Sequence, residues 1–344
     1  MSEITADRQI ALVWDYIKGF HAVHAIATGI ETGLLERLAT AGPTTAAALA
    51  AEKNLHPPYV AVWARTAVAY GLLDMDAAGT LVLAPFMKEV VASPQDPRYL
   101  GAYVMLVKRF MAGELERHPE FLKSGGTIPF QQHGRAFSAA IAATTGGLQA
   151  VLARKLLPGL PGMRAKLEAG ARLLDVGCGT GGLMLTLAKA WPKLRCHGVE
   201  VDDHGLAEAH ERIAAAGVDG RVTVERVGDD GPAESNAFDL AVMFEVLHEI
   251  PVAARPGVLT STCRALKPGG ALVILDETYP TDMAGLRSAE HALAVQTQYN
   301  EMVWGNVVPT AGEQEKLLAD AGFETPNRSM LGGLFTVLLA EKPG

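Results

Sequence analysis

The chain has 344 residues, enough for two domains, and its 49% hydrophobic and 20% charged content is typical of a globular protein rather than a disordered one. The formal net charge of -8 argues against a nucleic-acid-binding surface, which is normally basic. Three scattered cysteines, a start without the segments of a signal peptide, and no apolar stretch of about 18 residues favour a cytoplasmic protein without disulfides or a membrane span.

The N-terminal part of the chain predicts helices followed by a hairpin. Residues 9–38 show helical apolar spacing with a break near Gly19. A further helix begins near two threonines, and another runs over about 58–70 before a short hairpin. This order predicts a winged helix over residues 1–95. Because the last helix carries Arg65 as its one basic residue, a protein interface is favoured over DNA binding.

Residues 96–165 predict a helical connector. Two helical runs, at about 96–111 and 137–157, are separated by loops and followed by Pro-Gly breaks. Some apolar and aromatic side chains here are candidates for lining a small-molecule pocket, although core packing is their more ordinary role. These candidates are Met105, Phe110, Met111, Phe130 and His133.

Residues 173–182 are the most informative stretch of the chain. They predict a buried strand, a glycine turn and the start of a helix. Gly177, Gly179 and Gly182 satisfy the G-x-G-x-x-G pattern of dinucleotide-binding proteins. A pyrophosphate, however, binds to bare amides at a helix N-terminus, and the carboxylate of Asp175 at the strand end would repel it. The cationic sulfonium and ammonium groups of S-adenosylmethionine (SAM) suit that carboxylate better.

The next strands predict a parallel sheet with polar side chains at its carboxyl edge. Residues 196–201 form a second strand with Glu200 near its end, placed to accept hydrogen bonds from ribose hydroxyls. A third strand ends near Asp229, a candidate partner for the adenine amino group. Residues 238–244 and 266–276 predict the fourth and fifth strands. Apolar strands that alternate with helices indicate a sheet covered on both faces.

On these residues, positions 171–340 resemble the class I SAM-dependent methyltransferases. Residues 175–182 match the first motif, Glu200 the ribose-binding acid, and Lys267-Pro-Gly-Gly the turn before the fifth strand. The resemblance implies an α/β, Rossmann-like sheet, and the hairpin at 332–333 supplies its antiparallel C-terminal edge. It also implies SAM as the cofactor and S-adenosylhomocysteine as its product. The cofactor-binding residues are then Asp175, Gly177, Cys178 (a small turn residue rather than a reactive thiol), Gly179, Gly181, Glu200, Val201, Asp229, Phe244 and Glu245.

Residues 20–90 carry a second resemblance, to the N-terminal dimerisation domain of small-molecule O-methyltransferases of the plant phenolic type and their bacterial natural-product relatives. The matching stretches begin at Ile30, Thr45 and Tyr70. In that family the domain forms an intertwined dimer, and one subunit can line the partner's acceptor pocket. The resemblance therefore implies a homodimer and a small-molecule acceptor.

The segment after the fourth strand carries the candidate catalytic residues His248 and Glu249. Ligands of parallel sheets bind outside the carboxyl ends of the strands, so both side chains are expected near Asp175 and Glu200. A neutral histidine there would take a proton from a phenol, hydroxyl or amine. Plant-type O-methyltransferases carry their catalytic histidine, followed by aspartate, in this segment. His248 matches that histidine and Glu249 departs from the aspartate, so a structural histidine stays an alternative.

A metal is a further alternative at this point. His248, Glu249 and the distant His291 would form a two-histidine, one-carboxylate triad of the kind that holds non-haem iron. Some bacterial methyltransferases of this architecture that act on α-keto acids hold iron in a similar arrangement. Two adjacent residues and one remote histidine are a weak pattern, so no metal is assigned.

Residues 281–309 lie between the fifth strand and the final helix, where the resembled family covers its acceptor. The segment mixes apolar bulk with hydrogen-bonding groups, as acceptor pockets do, and an ordinary amphipathic helix is the alternative. Its candidate substrate-binding residues are His291, Gln298, Tyr299, Met302 and Trp304, with Gln296 and Asn300 nearby.

Together these observations predict a dimerisation domain at 1–95, a connector at 96–165 that contributes to the acceptor pocket, and a SAM-binding domain at 166–344. The leading function is O-methylation of a hydroxyl on a small organic acceptor with His248 as general base. C-methylation of an activated carbon such as an α-keto acid, with or without a metal, is second. A SAM-binding winged-helix regulator without catalysis is the alternative from another class. No nucleic-acid or membrane partner is expected.

Overall fold

The computed structural model describes residues 4–228 and 231–344. The chain divides into two compact units, Met1–Ala112 and Gly113–Gly344. The predicted connector at 96–165 is therefore shared between the two units, with the division after residue 112.

The N-terminal unit combines helices with a small antiparallel sheet of order β1-β3-β2. Its strands are β1 Thr44–Thr45, β2 Leu73–Met75 and β3 Thr80–Leu83. Its helices are α1 Ala6–Glu31, α2 Leu34–Ala41, α3 Ala46–Glu52, α4 Pro57–Ala69, α5 Met87–Val91 and α6 Gly101–Leu106, followed by a π-helical turn at Val107–Met111. The predicted succession of helices and a hairpin is confirmed.

The predicted helix break near Gly19 is wrong. Helix α1 continues through Gly19, where an α-helix tolerates glycine at a cost of about 1 kcal/mol. The chain turns instead at Gly33, whose φ of 70° is left-handed and favours glycine. At Gly29, a Cβ would lie 2.8 Å from the side chains of Leu35 and Trp63, so glycine lets α1 approach its neighbours closely.

The core of the N-terminal unit lies around α2, α3 and α4. Leu34, Leu35, Leu49 and Leu81 are buried there together with other apolar side chains. Trp63 donates its indole N–H to a backbone carbonyl of α1 at 2.9 Å, which fixes α4 against the second half of that helix. The first half of α1 has no buried side chain among its described residues.

The C-terminal unit is built on a seven-stranded sheet of order β6-β5-β4-β7-β8-β10-β9. Its strands are β4 Arg172–Val176, β5 Arg195–Glu200, β6 Val222–Arg226, β7 Phe238–Phe244, β8 Leu266–Asp276, β9 Asn327–Leu331 and β10 Phe335–Glu341. The neighbours from β6 to β8 pair in parallel, whereas β10 pairs antiparallel with both β8 and β9. The predicted Rossmann-like sheet with an antiparallel edge is thus confirmed.

Helices cover the sheet and extend beyond it. They are α7 Ala112–Leu115, α8 His118–Ser124, α9 Arg135–Val151, α10 Leu157–Gly159, α11 Met163–Ala169, α12 Gly182–Ala190, α13 Asp203–Ala216, α14 Arg255–Ala265, α15 Met283–Leu286, α16 Ala292–Glu301 and α17 Ala311–Asp320. Short 3₁₀ turns occur at Phe130–Gln132 and Met302–Trp304, and a π-helical turn at Leu152–Leu156. Two apolar clusters flank the sheet, because alternate residues such as Leu173 and Leu174 point to opposite faces.

One run of helix among the described residues, Arg135–Gly159, is long and apolar enough to cross a membrane by length and composition. Thr, Gly and Gln interrupt the run and its mean hydropathy is only 1.4, so the expectation of no membrane span stays a prediction. Core helices pass the same test, and α9 packs against α12 and α13.

Candidate active site

The glycine turn after β4 has the conformation that the sequence predicts. Gly177, Gly179 and Gly181 have φ angles of 73°, 51° and 74°, which are unfavourable for other residues. A Cβ on Gly177 would also lie 2.7 Å from Val246, so the turn and the segment after β7 are in close contact. Cys178 is buried, and burial raises the pKa of its thiol well above the usual range. It is therefore a protonated turn residue rather than a reactive thiolate.

Asp175 lies at the carboxyl end of β4 and is 2% exposed. Its Oδ2 atom has no hydrogen-bond partner among the described residues. Burial, together with the nearby carboxylate of Glu200, raises the pKa of Asp175 to about 7. A buried carboxylate without a partner is costly, and a cationic ligand group would satisfy it. The turn and this carboxylate therefore fit the charged methionine end of SAM.

Glu200 ends β5 and holds the glycine turn in place. Its carboxylate accepts backbone N–H groups from Gly179 at 2.6 Å, Val201 at 2.7 Å and Asp202 at 2.9 Å. Burial raises the pKa of Glu200, while these three hydrogen bonds oppose that rise. The predicted ribose acid thus also shapes the turn itself.

The remaining predicted cofactor residues lie near the same edge or outside the described residues. Phe244 is buried at the end of β7, and Glu245 follows it with a left-handed φ of 56°. The Oε1 atom of Glu245 is buried without a partner in the described chain. Val201 is 37% exposed. Asp229 lies outside the residues that the structure describes.

His248 is buried among acidic side chains after β7. Its Nδ1 lies 2.5 Å from Oδ1 of Asp276 and 3.4 Å from Oε2 of Glu277. On the other side of the ring, Nε2 lies 3.3 Å from Oε2 of Glu301. The backbone N–H of His248 also donates to Asp276 at 3.2 Å. Asp276 therefore fixes both the main chain and the ring, in the manner of a catalytic triad.

Neighbouring elements hold this cluster in position. Strands β7 and β8 are paired, so the segment after β7 lies beside the end of β8. Arg255 donates to the carbonyl of His248 at 3.0 Å, and Asn306 donates to Glu301 at 2.9 Å. Thr297 donates its hydroxyl to Glu277 at 2.9 Å. Each of these contacts satisfies a buried polar group and limits its movement.

The cluster is electrostatically coupled. Burial alone would lower the pKa of His248, but the carboxylates of Asp276, Glu301 and Glu277 outweigh it and raise that pKa well above the usual range. Burial and neighbouring carboxylates raise the pKa of Glu249 to about 8 and that of Glu277 to about 7. The hydrogen bond and charge of His248 overcome burial and keep the pKa of Asp276 below its usual range. The resting site therefore favours an imidazolium paired with Asp276.

Two sets of side chains in the cluster have the donor atoms of a cation site. His248 groups with Asp276 and Glu277, and also with Glu249 and Glu301, with ligand atoms within 4.8 Å of one another in each set. His291 belongs to neither set among the described residues, and its Nδ1 lies 3.0 Å from the hydroxyl of Ser288. The structure does not bring His291 together with His248 and Glu249, because Glu301 of α16 lies beside His248 instead.

The predicted acceptor residues after β8 have different environments. Gln298 uses both amide atoms to hold the backbone at 306 and 308, at 3.2 and 2.7 Å. Trp304 is buried against Phe137 with ring centroids 5.3 Å apart, and donates to Glu114 at 2.7 Å. Tyr299 and Met302 are 58% and 37% exposed.

Two acceptor candidates, Met105 and Met111, belong to the N-terminal unit. Met111 is buried and Met105 is half-buried. Their role in acceptor binding stays a prediction, as does that of the other candidates.

Sequence reasoning missed Asp276, Glu277 and Glu301 as members of the site. The first two could have been found, because they follow the predicted fifth strand and the carboxyl edge of the sheet was already identified as the binding edge. Glu301 could not, because its position depends on how α16 folds back over the sheet edge.

Comparison with known proteins agrees with this geometry. Residues 173–270 match the methyltransferase domain family. The chain is 29% identical over 290 residues to 3-hydroxy-5-methyl-1-naphthoate 3-O-methyltransferase of Streptomyces sahachiroi, covering 80% of this chain and 79% of that protein. It is 26% identical to acetylserotonin O-methyltransferase of Bos taurus, covering 96% of this chain and 97% of that protein.

Solved structures share the fold along the whole chain. Human N-acetylserotonin methyltransferase in complex with SAM has a TM-score of 0.81 at 18% identity, covering 100% of this chain and 99% of that chain. Mitomycin 7-O-methyltransferase has a TM-score of 0.77 at 19% identity, covering 98% and 100%. The domain match and these two relatives make the chain a SAM-dependent methyltransferase similar to the small-molecule O-methyltransferases, and the solved structures show that it shares their fold.

Proposed function

We propose that this enzyme methylates a hydroxyl oxygen of a small organic acceptor and that His248 removes the hydroxyl proton. The observation that carries the proposal is the buried contact of 2.5 Å between Nδ1 of His248 and Asp276. It assigns a proton to Nδ1 and leaves Nε2 as the atom that exchanges a proton with the acceptor. When bound, SAM supplies the methyl group on its sulfonium sulfur.

The surrounding carboxylates set the conditions for this proton transfer. Asp276 orients the ring, and Glu301 faces Nε2 from α16. Because these carboxylates raise the pKa of His248, the neutral form needed for a base becomes abundant at a higher pH than for an ordinary histidine. Placement of the acceptor hydroxyl at the methyl group contributes much of the remaining acceleration.

Product analysis tests the proposal. Purified enzyme is incubated with methyl-labelled SAM and a panel of phenols, quinones and α-keto acids, and products are identified by mass spectrometry. The proposal expects the label on oxygen. Label on carbon only, or no transfer to any hydroxyl compound by enzyme that binds SAM, would contradict it.

A metal-assisted C-methylation is the second candidate, because His248, Glu249 and Glu301 bring donor atoms within 4.8 Å of one another. One imidazole and two carboxylates suit a divalent ion such as iron or manganese. Metal analysis of the purified enzyme, chelation and readdition of ferrous iron decide between the candidates. Activity that survives chelation at full rate rules out the metal.

We further propose that the enzyme is a homodimer joined through its N-terminal unit. The proposal rests on the exposed apolar side chains in the first half of α1, among them Ile10, Val13, Trp14, Tyr16 and Phe20. Such a continuous apolar surface is unusual on a monomer and suits a second copy of the same helix. The acidic net charge of -8 supports the expectation that the enzyme has no nucleic-acid partner. The free cysteines Cys178, Cys196 and Cys263 support the expectation of a cytoplasmic enzyme.

A further inference from the structure

Helix α9 contacts α12 and α13, the two helices beside the glycine turn. A Cβ on Gly182, the first residue of α12, would lie 2.6 Å from Oε1 of Gln149 on α9. Arg135, the first residue of α9, pairs with Glu211 of α13 at 2.5 Å. The surroundings of the glycine turn therefore include a helix from the predicted connector at 96–165.

Ser138 forms the buried polar contact between α9 and α13. Ser138 and Asp202 are each 6% exposed, and the serine hydroxyl donates to Oδ2 of Asp202 at 3.1 Å. A helical serine or threonine often bonds a carbonyl of its own preceding turn. Thr144 and Thr145 of the same helix do so, at 2.7 and 3.1 Å. The hydroxyl of Ser138 instead reaches a carboxylate 64 positions later in the chain.

Asp202 is connected to the glycine turn on two sides. Its N–H donates to Glu200 at 2.9 Å, and Glu200 in turn accepts the N–H of Gly179 at 2.6 Å. Its Oδ2 accepts the N–H of Gly205 at 2.7 Å and so caps α13. A Cβ on Gly205 would lie 3.4 Å from the carbonyl carbon of Gly179, so the first turn of α13 packs directly on the glycine turn. Asp202 therefore determines the position of two neighbours of Gly179.

The main chain at Gly179 depends on such neighbours. Its φ of 51° is left-handed, and a glycine has little conformational preference of its own. A site that is ordered before its ligand arrives binds that ligand at a lower entropic cost. We infer that Ser138 is a positioning residue for SAM, which acts through Asp202 to hold Glu200 and the main chain of Gly179 in the arrangement that binds the cofactor. The inference concerns cofactor affinity and does not depend on which acceptor atom is methylated.

Calorimetry of SAM binding to Ser138→Ala tests the inference. SAM affinity should fall by about five-fold, the factor given by one net hydrogen bond. Turnover at saturating SAM should stay within about two-fold of the wild type, because the bond of Ser138 is to Asp202 and not to the acid cluster around His248. Unchanged SAM affinity, or a loss confined to turnover at saturating SAM, overturns the inference.

Two further variants separate positioning from a merely structural role. Ser138→Thr keeps a hydroxyl and should recover most of the SAM affinity. Thr144→Val, the matched control, removes a hydroxyl that bonds within α9 and should leave SAM affinity unchanged. A merely structural serine would lower the melting temperature of the ligand-free enzyme without changing the SAM affinity of the folded protein. That result, or an equal loss of affinity in Thr144→Val, contradicts the positioning role.

A double-mutant cycle tests whether the effect passes through Asp202. In enzyme that carries Asp202→Ala, the further change Ser138→Ala should not weaken SAM binding, because the acceptor of the hydroxyl is already gone. A second loss of about five-fold would mean that Ser138 acts by another route and overturns the inference.

Ser138→Cys keeps the inference testable if Ser138→Ala does not fold. The thiol is close to the hydroxyl in size and is a weak donor, so SAM affinity should still fall by about two-fold or more. Wild-type affinity in Ser138→Cys contradicts the inference. Because calorimetry needs no acceptor, failure of the proposed O-methylation leaves this test intact, and O-methylated products from an enzyme whose SAM affinity ignores Ser138 remove only the positioning role.

Discussion

The two compact units of the chain differ in what they leave unsatisfied. The N-terminal unit exposes large apolar side chains along the first half of α1, such as Trp14 at 64% and Phe20 at 59%. The C-terminal unit instead buries carboxylate oxygens that have no partner among the described residues, such as Oδ2 of Asp175 and Oε1 of Glu245. An exposed apolar surface is covered best by a protein, whereas buried charge is satisfied by a small, complementary ligand. The difference leads us to expect that one unit serves assembly and the other chemistry.

The largest expected effect tests the chemical half of this comparison. His248→Ala should lower turnover by about 10²–10⁴-fold with an acceptor identified by product analysis, because general-base catalysis has that magnitude. SAM affinity should change little, since His248 contacts the acid cluster rather than the glycine turn. Steady-state kinetics and calorimetry measure the two quantities.

The exposed His210→Ala variant is the control for that experiment and should behave like the wild type. A folded His248→Ala enzyme with near-full turnover would assign the proton transfer to another group, with Glu249 the nearest candidate. Joint loss of stability and SAM binding would instead indicate a structural histidine.

The assembly half is tested by Trp14→Glu. A charge within the apolar surface of α1 should weaken the dimer by about 30-fold or more, the scale of losing one interface hot spot. Analytical ultracentrifugation or light scattering over a concentration series measures the change. Val252→Glu places the same charge on an exposed apolar residue of the other unit and should leave the dimer intact. A wild-type monomer at micromolar concentration would refute the assembly.

A smaller effect concerns the pH dependence of SAM binding. Burial and Glu200 raise the pKa of Asp175 to about 7, and we expect its ionised form to attract the cationic end of SAM. Affinity should therefore fall by up to about tenfold per pH unit below pH 7 and level off above it. Calorimetry between pH 5.5 and about 8.5 follows this change.

In Asp175→Asn, SAM affinity should be weak and nearly independent of pH, because no titrating carboxyl remains at that position. Asp219→Asn, at an exposed position, is the matched control. The same pH dependence in Asp175→Asn as in the wild type would assign the titration to another group, such as Glu200.

The difference between the units also explains which parts of the molecule can be predicted from sequence. The strands of the C-terminal unit are buried on both faces, so continuous apolar runs predict β7 at Phe238–Phe244 with its observed bounds. The glycine turn is predictable because positive φ angles restrict the residue type at Gly177 and Gly179. In and after α1, by contrast, a single glycine does not show whether the helix ends there. Gly19 lies within the helix, whereas Gly33 turns the chain after it.

The acid cluster could be predicted only in part. His248 and Glu249 follow a predicted strand, so their place at the sheet edge follows from topology. Glu301 reaches the same histidine from a helix more than fifty residues later, and no local pattern encodes that contact. For Trp304 the local pattern was a poor guide. The residue type and its segment suggested acceptor binding, whereas its side chain is buried against Phe137 and donates a hydrogen bond to Glu114.

The smallest expected effect separates the members of the cluster. Glu301→Gln removes one of the carboxylates that raise the pKa of His248 but keeps the size of the side chain. If the neutral histidine is the base, turnover rises with pH through the His248 pKa, so lowering that pKa moves the acidic limb of the profile to lower pH. The alkaline plateau should stay within a few-fold of the wild type, and Glu290→Gln, at an exposed position of the same segment, should not move the limb. An acidic limb that is unchanged in Glu301→Gln would mean that the titrating group is not His248, because Glu301 faces its Nε2 at 3.3 Å.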